Sequence, residues 1–291
     1  MKFLVIGANA AGMSAASRVK RREPDCEVVV LEKTFEVSYG ACGLPYYIAG
    51  LNDNLELVRI RSVADFEKNG IIMRLGHTAE RIDFAKKTVE WRDSEGNQFF
   101  AGYDRLLIAS GASPRVLPVP GAEKRNIFTL KTPQDAENIR ASISHKHADV
   151  VIVGGGAIGL ELAEACLLQK VKSLRIIEAA NQLLPGFDEE FALAARDELT
   201  KHGVEVHLNA RVTAFLGEDC VSGVATGGAP YAADVVILST GIIPNTQFAE
   251  GLRKLPNGAI VTDERMRTSE PDVFAAGDCA HLSHAPRPKA G

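Results

Sequence analysis

A glycine-rich turn that follows an apolar strand occurs twice in this chain, and the repetition constrains the fold more than any other feature. Lys2-Phe3-Leu4-Val5-Ile6 runs into Gly7-Ala8-Asn9-Ala10-Ala11-Gly12, and Val150-Val151-Ile152-Val153 runs into Gly154-Gly155-Gly156-Ala157-Ile158-Gly159. A helical pattern follows each turn. Each helix leads to a second apolar strand that ends in an acid: Val28-Val29-Val30-Leu31-Glu32 and Leu174-Arg175-Ile176-Ile177-Glu178. Glycines at this spacing, with an acid roughly 20 residues beyond them, form the dinucleotide-binding fingerprint. The first glycine permits a tight turn, the second lets a pyrophosphate approach the backbone, and the third lets helix and strand pack closely. The pyrophosphate sits on the helix N-terminus, where free N–H groups and the dipole favour an anion. The acid bonds a ribose hydroxyl. Two copies imply two bound dinucleotides. In the first copy Asn9 stands at the second glycine position; Asn tolerates a left-handed backbone, so the motif is expected to survive there.

With 291 residues there is room for roughly two domains. An apolar fraction of 46% with 24% charged residues describes an ordinary soluble globular protein. The net charge of −4 gives no sign of a nucleic-acid or polyanion partner. The five cysteines, 26, 42, 166, 220 and 279, have neither paired nor metal-ligand spacing, so no metal site is expected. That usage suits a reducing compartment, the cytoplasm. The N-terminal lysine and apolar run resemble a signal peptide. The glycine motif begins inside that run, so it reads as the first strand. No apolar stretch approaches the roughly 18 residues of a membrane span.

Strand and helix patterns alternate, which predicts an α/β fold with parallel sheets and helices on both faces. Residues 62–69 look helical, and 71–75, 87–92 and 97–101 look like strands of a small antiparallel sheet. Tyr103 to Gly111 is an apolar strand ending in Ala109-Ser110-Gly111. Prolines 114, 118 and 120 mark a linker. The second unit starts near 149 and closes with Asp234 to Leu238 and the turn Ser239-Thr240-Gly241. The late stretch Val273-Phe274-Ala275-Ala276-Gly277-Asp278 is again a buried strand, and its natural home is the first sheet.

These features, in this order, resemble the flavin-dependent pyridine nucleotide–disulfide oxidoreductases along essentially the whole chain. The resemblance implies two nested Rossmann-like domains. Residues 1–112 would begin an FAD-binding domain, 113–245 would form an NAD(P)H-binding domain, and 246–291 would return to the first. FAD would meet Gly7, Asn9, Ala10, Ala11, Gly12, Glu32, Lys33, Ser110, Gly111, Gly277 and Asp278. NADH, or NADPH, would meet Gly154, Gly156, Ala157, Ile158, Gly159, Glu161, Glu178 and Gly241, with Glu161 near the nicotinamide. Glu178, followed by Ala179 and Ala180 rather than arginines, favours NADH, because a carboxylate repels a 2′-phosphate. Family members continue past the Gly-Asp turn into a dimerisation domain and are homodimers. This chain stops about a dozen residues after Asp278 and is expected to lack that domain.

The segment Ser38-Tyr39-Gly40-Ala41-Cys42-Gly43-Leu44-Pro45-Tyr46-Tyr47-Ile48 narrows the resemblance. Dithiol members carry two cysteines separated by four residues; the partner position here is Tyr47. The lone Cys42 is similar to the coenzyme A-disulfide reductase and NADH oxidase/peroxidase branch. A lone thiol cycles through a mixed disulfide or a sulfenic acid. Pro45, just inside a predicted helix, would place Cys42 at its N-terminus, where free N–H groups favour thiolate. Oxidase and peroxidase members carry a histidine where this chain has Ala10, which points to the disulfide reductases. Ser14, Arg18, Arg21, Ser38 and Ala41 match positions that contact the small-molecule disulfide, coenzyme A disulfide or polysulfide. Arg18 and Arg21 fit phosphate recognition and equally fit a solvated helix end. Two other readings stand beside this one: an NADH oxidase or peroxidase using a sulfenic acid at Cys42, and a nucleotide-binding redox sensor without turnover.

Overall fold

The computed structural model describes residues 1–144 and 147–283. The chain runs through β1 (Lys2–Ile6), α1 (Ala10–Arg22), β2 (Glu27–Glu32), α2 (Leu44–Ile48), α3 (Val63–Lys68), β3 (Ile71–Leu75), β4 (Thr78–Asp83), β5 (Thr88–Arg92), β6 (Gln98–Gly102), β7 (Arg105–Ile108) and β8 (Ala112–Pro114). It continues through β9 (Ile127–Thr129), α4 (Pro133–Ile143), β10 (Asp149–Val153), α5 (Ala157–Leu168), β11 (Ser173–Ile177), α6 (Glu189–Lys201), β12 (Glu205–His207), β13 (Ala214–Leu216), β14 (Gly223–Ala225) and β15 (Tyr231–Ala232). It ends with β16 (Val235–Leu238), β17 (Ile242–Pro244), β18 (Ile260–Thr262), β19 (Val273–Ala275) and β20 (Ala280–Leu282). By internal contacts these elements fall into two units. Unit 1 holds residues 1–40, 59–113 and the described residues from 243 onward; unit 2 holds 41–58 and 114–242. The short segment bearing Cys42 therefore groups with unit 2 although it interrupts unit 1 in sequence.

Unit 1 is built on a parallel five-stranded sheet in the order β19-β7-β1-β2-β3. Its strands are apolar runs because both faces are covered; Leu4, Val5, Val28, Val30, Leu106 and Ile108 are fully buried. Helix α1 turns Gly12, Met13 and Ala16 inward; Gly12 and Ala16 are small and let it lie close. The late strand β19 pairs with β7, Val273 opposite Leu106, and so returns to the first sheet as its sequence suggested. One expectation is corrected. The strand at 71–75 does not join a small sheet; β3 pairs parallel with β2, Ile71 opposite Val28, and buries Ile71 and Met73. The small antiparallel sheet is β4-β5-β6. Its first strand, Thr78–Asp83, buries only Ile82, so it carries little apolar alternation to read.

Unit 2 repeats the plan with the parallel order β12-β11-β10-β16-β9. Helix α5 buries Gly159, Leu162, Ala163, Ala165 and Cys166. In each sheet the strand before the glycine turn, β1 or β10, sits between its sequence successor and a strand from much later in the chain. That is the switch point at which α/β sheets bind nucleotides beyond their strand ends. Among the described residues, no helix is long and apolar enough to cross a membrane.

Candidate active site

The two glycine turns are the same device. Gly7 has φ 109° and Gly154 φ 107°, a region that side chains avoid. A Cβ on Gly7 would lie 2.1 Å from the Ala109 carbonyl oxygen, and one on Gly154 would lie 2.2 Å from that of Ser239. Each turn is thus pressed against the end of the neighbouring strand. Gly12 and Gly159 meet the backbone still more tightly: a Cβ would stand 1.9 Å from Gly7 O and 2.1 Å from Gly154 O. The second position behaves differently from the sequence expectation. Asn9 is extended, at φ −103°, and Gly156 at φ −77°, so no left-handed backbone is required there. What matters is space. A Cβ on Gly156 meets nothing within 4 Å, while Asn9 places a side chain whose Oδ1 is buried without a partner among the described residues.

The helix ends that follow are open. Helices α3 and α4 begin with full capping boxes, Ser62 with Asp65 and Thr132 with Asp135. Helices α1 and α5 begin at Asn9 and Gly156 with no side-chain cap. Their first N–H groups are left for an anion such as a pyrophosphate. The acids brace these loops. Glu32 Oε2 accepts from Ala8 N at 2.9 Å and Oε1 from Thr34 N at 2.8 Å. Glu178 Oε2 accepts from Gly155 N at 2.6 Å and Oε1 from Ala180 N at 2.7 Å. Lys33 is exposed beside Glu32.

The Ala109-Ser110-Gly111 turn of unit 1 is held by Asn245. Ser110 Oγ donates to Asn245 O at 2.6 Å, Asn245 Nδ2 donates to Ser110 O at 3.1 Å, and Asn245 N donates to Gly111 O at 2.9 Å. Gly277, at φ 82°, brings the Gly277–Asp278 turn against α1; a Cβ there would lie 3.3 Å from Ala11 Cβ. The late Gly-Asp turn therefore stands beside the first glycine loop, with Asp278 exposed. In unit 2 Gly241 is exposed, and its carbonyl accepts from Arg115 N at 2.9 Å.

A cavity of about 450 Å³ opens along α1 in unit 1. Its floor is apolar, with Met13, Tyr39 and Phe66 buried. Ser14, Ser17, Ser38 and two cations, Arg21 and Arg61, line it, and Asn9 and Ala10 stand at its glycine-loop end. The structure thus gathers Ser14, Arg21 and Ser38. Arg18 is exposed on the same helix and is not part of the lining, and Ala41 lies in unit 2. Ser38 has φ 46°, a strained left-handed conformation for a serine. It is locked by Ser38 N on Ala8 O at 2.9 Å and Ile60 N on Ser38 O at 2.8 Å. Arg61 was missed because no motif contains it.

In unit 2 Cys42 lies on the 3₁₀ turn Ala41–Gly43, just ahead of α2. The helix cap is Gly43, with Pro45 in the first turn, so the thiol stands one residue before the cap rather than on it. Cys42 is exposed, Cys220 is half-buried, and Cys26, Cys166 and Cys279 are buried. Burial pushes the Cys166 thiol up to about 12 and raises those of Cys26 and Cys279. Helix α2 packs on α5, where Glu161 and Glu164 share a small cleft with Pro45 and Tyr46.

Two Rossmann-type units, uncapped helix ends and an exposed thiol define a class, and the match is direct. The chain belongs to the pyridine nucleotide-disulphide oxidoreductase family, which it matches over residues 1–290. The family's cofactors are FAD and a pyridine nucleotide. The chain is 40% identical over 284 residues to a CoA-dependent NAD(P)H sulfur oxidoreductase of Pyrococcus abyssi, covering 97% of this chain and 63% of that one. It resembles the structure of an NAD-dependent persulfide reductase from A. fulgidus, with TM-score 0.91, 36% identity, 96% of this chain and 53% of that one. It also resembles a water-forming NADH oxidase from Lactobacillus brevis bound to NADH, with TM-score 0.92, 31% identity, 96% of this chain and 62% of that one. The chain therefore spans less than two thirds of these relatives.

Proposed function

We propose that the chain carries the electron-transfer part of an NADH-dependent reductase of low-molecular-weight disulfides or polysulfides, with Cys42 as the exchanging sulfur. One observation carries the reading: Cys42 is the single exposed cysteine, on a segment packed against the helix that starts from the second glycine loop. The residues fit both cofactors. Gly7, Gly12, Glu32, Ser110, Gly111, Gly277 and Asp278 would hold FAD. Gly154, Gly156, Gly159 and Glu178 would hold the nicotinamide dinucleotide, with Glu161 near its reactive end. When bound, FAD supplies a two-electron relay between the nicotinamide and sulfur. Cys42 thiolate attacks a disulfide R–S–S–R, forms Cys42–S–S–R and expels R–S⁻. The overall change is NADH + H⁺ + RSSR to NAD⁺ + 2 RSH.

The cavity along α1 supports a phosphate-bearing substrate, coenzyme A disulfide, since Arg21 and Arg61 suit phosphate groups. Gly40, on its wall, is two residues from Cys42 in sequence. Five free cysteines support a reducing, cytoplasmic setting, and a homodimer is the expected assembly of the longer family members. The oxidase reading draws on relatives named NADH oxidase, whereas Ala10 lacks the imidazole that the resemblance gives to oxygen chemistry. The test is NADH consumption with coenzyme A disulfide, with polysulfide and with oxygen alone, in the parent and in Cys42→Ser. Disulfide-dependent turnover is expected to collapse while flavin reduction by NADH survives. A serine variant as fast as the parent overturns the reading.

A further inference from the structure

Position 47, where two-cysteine family members carry their second sulfur, is Tyr47 in this chain, and its ring has a partner. We propose that Arg140 is a positioning residue for Cys42, acting through Tyr47 and the turn behind it. The proposal rests on Cys42 being the exchanging sulfur. Helix α2 has five residues, far too few to hold its own shape in water. Its cap, Gly43, offers no side chain. Something outside the helix must fix the register of the thiol that precedes it.

Two helices of the same unit do so. Arg140, from α4, lays its guanidinium carbon 4.6 Å over the centre of the Tyr47 ring. Its Nη1 donates to the Asn52 carbonyl at 3.3 Å, and its Nη2 pairs with the Asp53 carboxylate. Gln169, which caps α5, donates from Nε2 to the Ile48 carbonyl at 2.9 Å. That bond satisfies one of the carbonyls left open at the end of α2. Between them lies Gly50, at φ 75°. A Cβ there would stand 2.9 Å from Gln169 Nε2 and 3.8 Å from Arg140 Nη2. Both side chains close on bare backbone at the same turn.

The parts of this clasp are unequal. The Asp53 side chain is 81% exposed, so its ion pair with Arg140 contributes little. The stack on Tyr47 and the bond to Asn52 are directional and need the planar fork of an arginine. The Arg140 side chain is only 24% exposed, unlike a free surface cation. Lysine keeps the charge and loses the geometry, which separates positioning from simple electrostatics.

The test uses the whole chain with added FAD, in Arg140→Leu, Arg140→Lys and Gln169→Met. Hydrogen exchange is the first readout. The amides of Ala49, Gly50 and Leu51, bonded to Pro45, Tyr47 and Tyr46, should lose protection about tenfold or more, while those of β10 stay unchanged. The second is turnover: kcat for Cys42-dependent disulfide reduction should fall about tenfold or more, as slight misplacement does, with the KM for NADH unchanged. Arg140→Lys should behave like Arg140→Leu. Unchanged protection and kcat in both arginine variants overturn the proposal. Loss of protection across all of unit 2 also overturns it, by showing a general structural role. If Arg140→Leu does not fold, Arg140→Lys and Gln169→Met decide. A parent with no Cys42-dependent turnover overturns the reading of Cys42 instead, and the exchange data still judge the clasp.

Discussion

The Glu178 carboxylate accepts a hydrogen bond from the Gly155 amide at 2.6 Å, so the acid that follows β11 holds its own glycine loop in place. Glu32 does the same for Ala8 in unit 1. An acid at this position shapes the turn. Glu178 is 9% exposed, and each of its oxygens takes a backbone N–H.

A glutamine at 178 has one acceptor oxygen for those two donors. Glu178→Gln is expected to destabilise the chain by about 1–3 kcal/mol, the cost of an unsatisfied buried group. It should also narrow the preference for NADH over NADPH about tenfold, because the charge that repels a 2′-phosphate is gone. Dissociation constants for both nucleotides, with melting curves, check this. An unchanged ratio would show that Glu178 does not select the cofactor.

Gly12→Ala and Gly159→Ala should separate the two sites. Each new methyl would collide with a carbonyl oxygen at 1.9 or 2.1 Å, so helix and strand must part, at about 1–3 kcal/mol. Gly12→Ala should lower FAD content and leave NADH affinity intact, and Gly159→Ala the reverse. Flavin absorbance and nucleotide titration read the two effects. Equal loss of both ligands in both variants would contradict the assignment.

Iodoacetamide at pH 8 should label Cys42 first in the native protein. Cys166, pushed up to about 12 by burial, and Cys26 and Cys279, raised for the same reason, should react only on unfolding. The sign for stability follows. Below the ordinary thiol range both states keep their protons and these groups cost nothing. Above it the unfolded chain ionises first, so stability falls with rising pH, and for Cys166 the fall continues to about pH 12. Mass spectrometry of digests tests the labelling. Early labelling of Cys166 would refute the burial argument.

Arg61→Ala and Arg21→Ala should each raise the KM for coenzyme A disulfide about tenfold, the scale of a lost charge-assisted bond to phosphate. The KM for NADH and turnover of a disulfide without phosphate groups should not move. Equal effects on both disulfides would remove phosphate recognition from this cavity.

What was readable in the sequence was local and steric. Gly7 and Gly154 announce themselves because only glycine fits a left-handed turn pressed onto a carbonyl. Glu32 and Glu178 follow at the reach of one helix and one strand. The reason given for Asn9 was wrong, since the position demands room and not an unusual backbone. β3 was misplaced because a five-residue strand does not state which neighbour it pairs with. Arg61 reaches its cavity from a stretch with no motif. The grouping of Cys42 with residues 114–242 goes with the packing of α2 on α4 and α5, helices about a hundred positions away in sequence, and no local pattern encodes that.

Strand β7 lies between β1 and β19, and that placement sets a timetable for synthesis. The chain emerges from the ribosome N-terminus first, at roughly 5–20 residues per second. All the strands of the second parallel sheet have been made by Leu238, yet the first sheet must wait for Val273–Ala275. The unit begun first is thus completed last. Until then the flank of β7 is an open edge of unpaired backbone, a site for mispairing. A chaperone that shields nascent edges would raise the yield of this protein by acting on that interval.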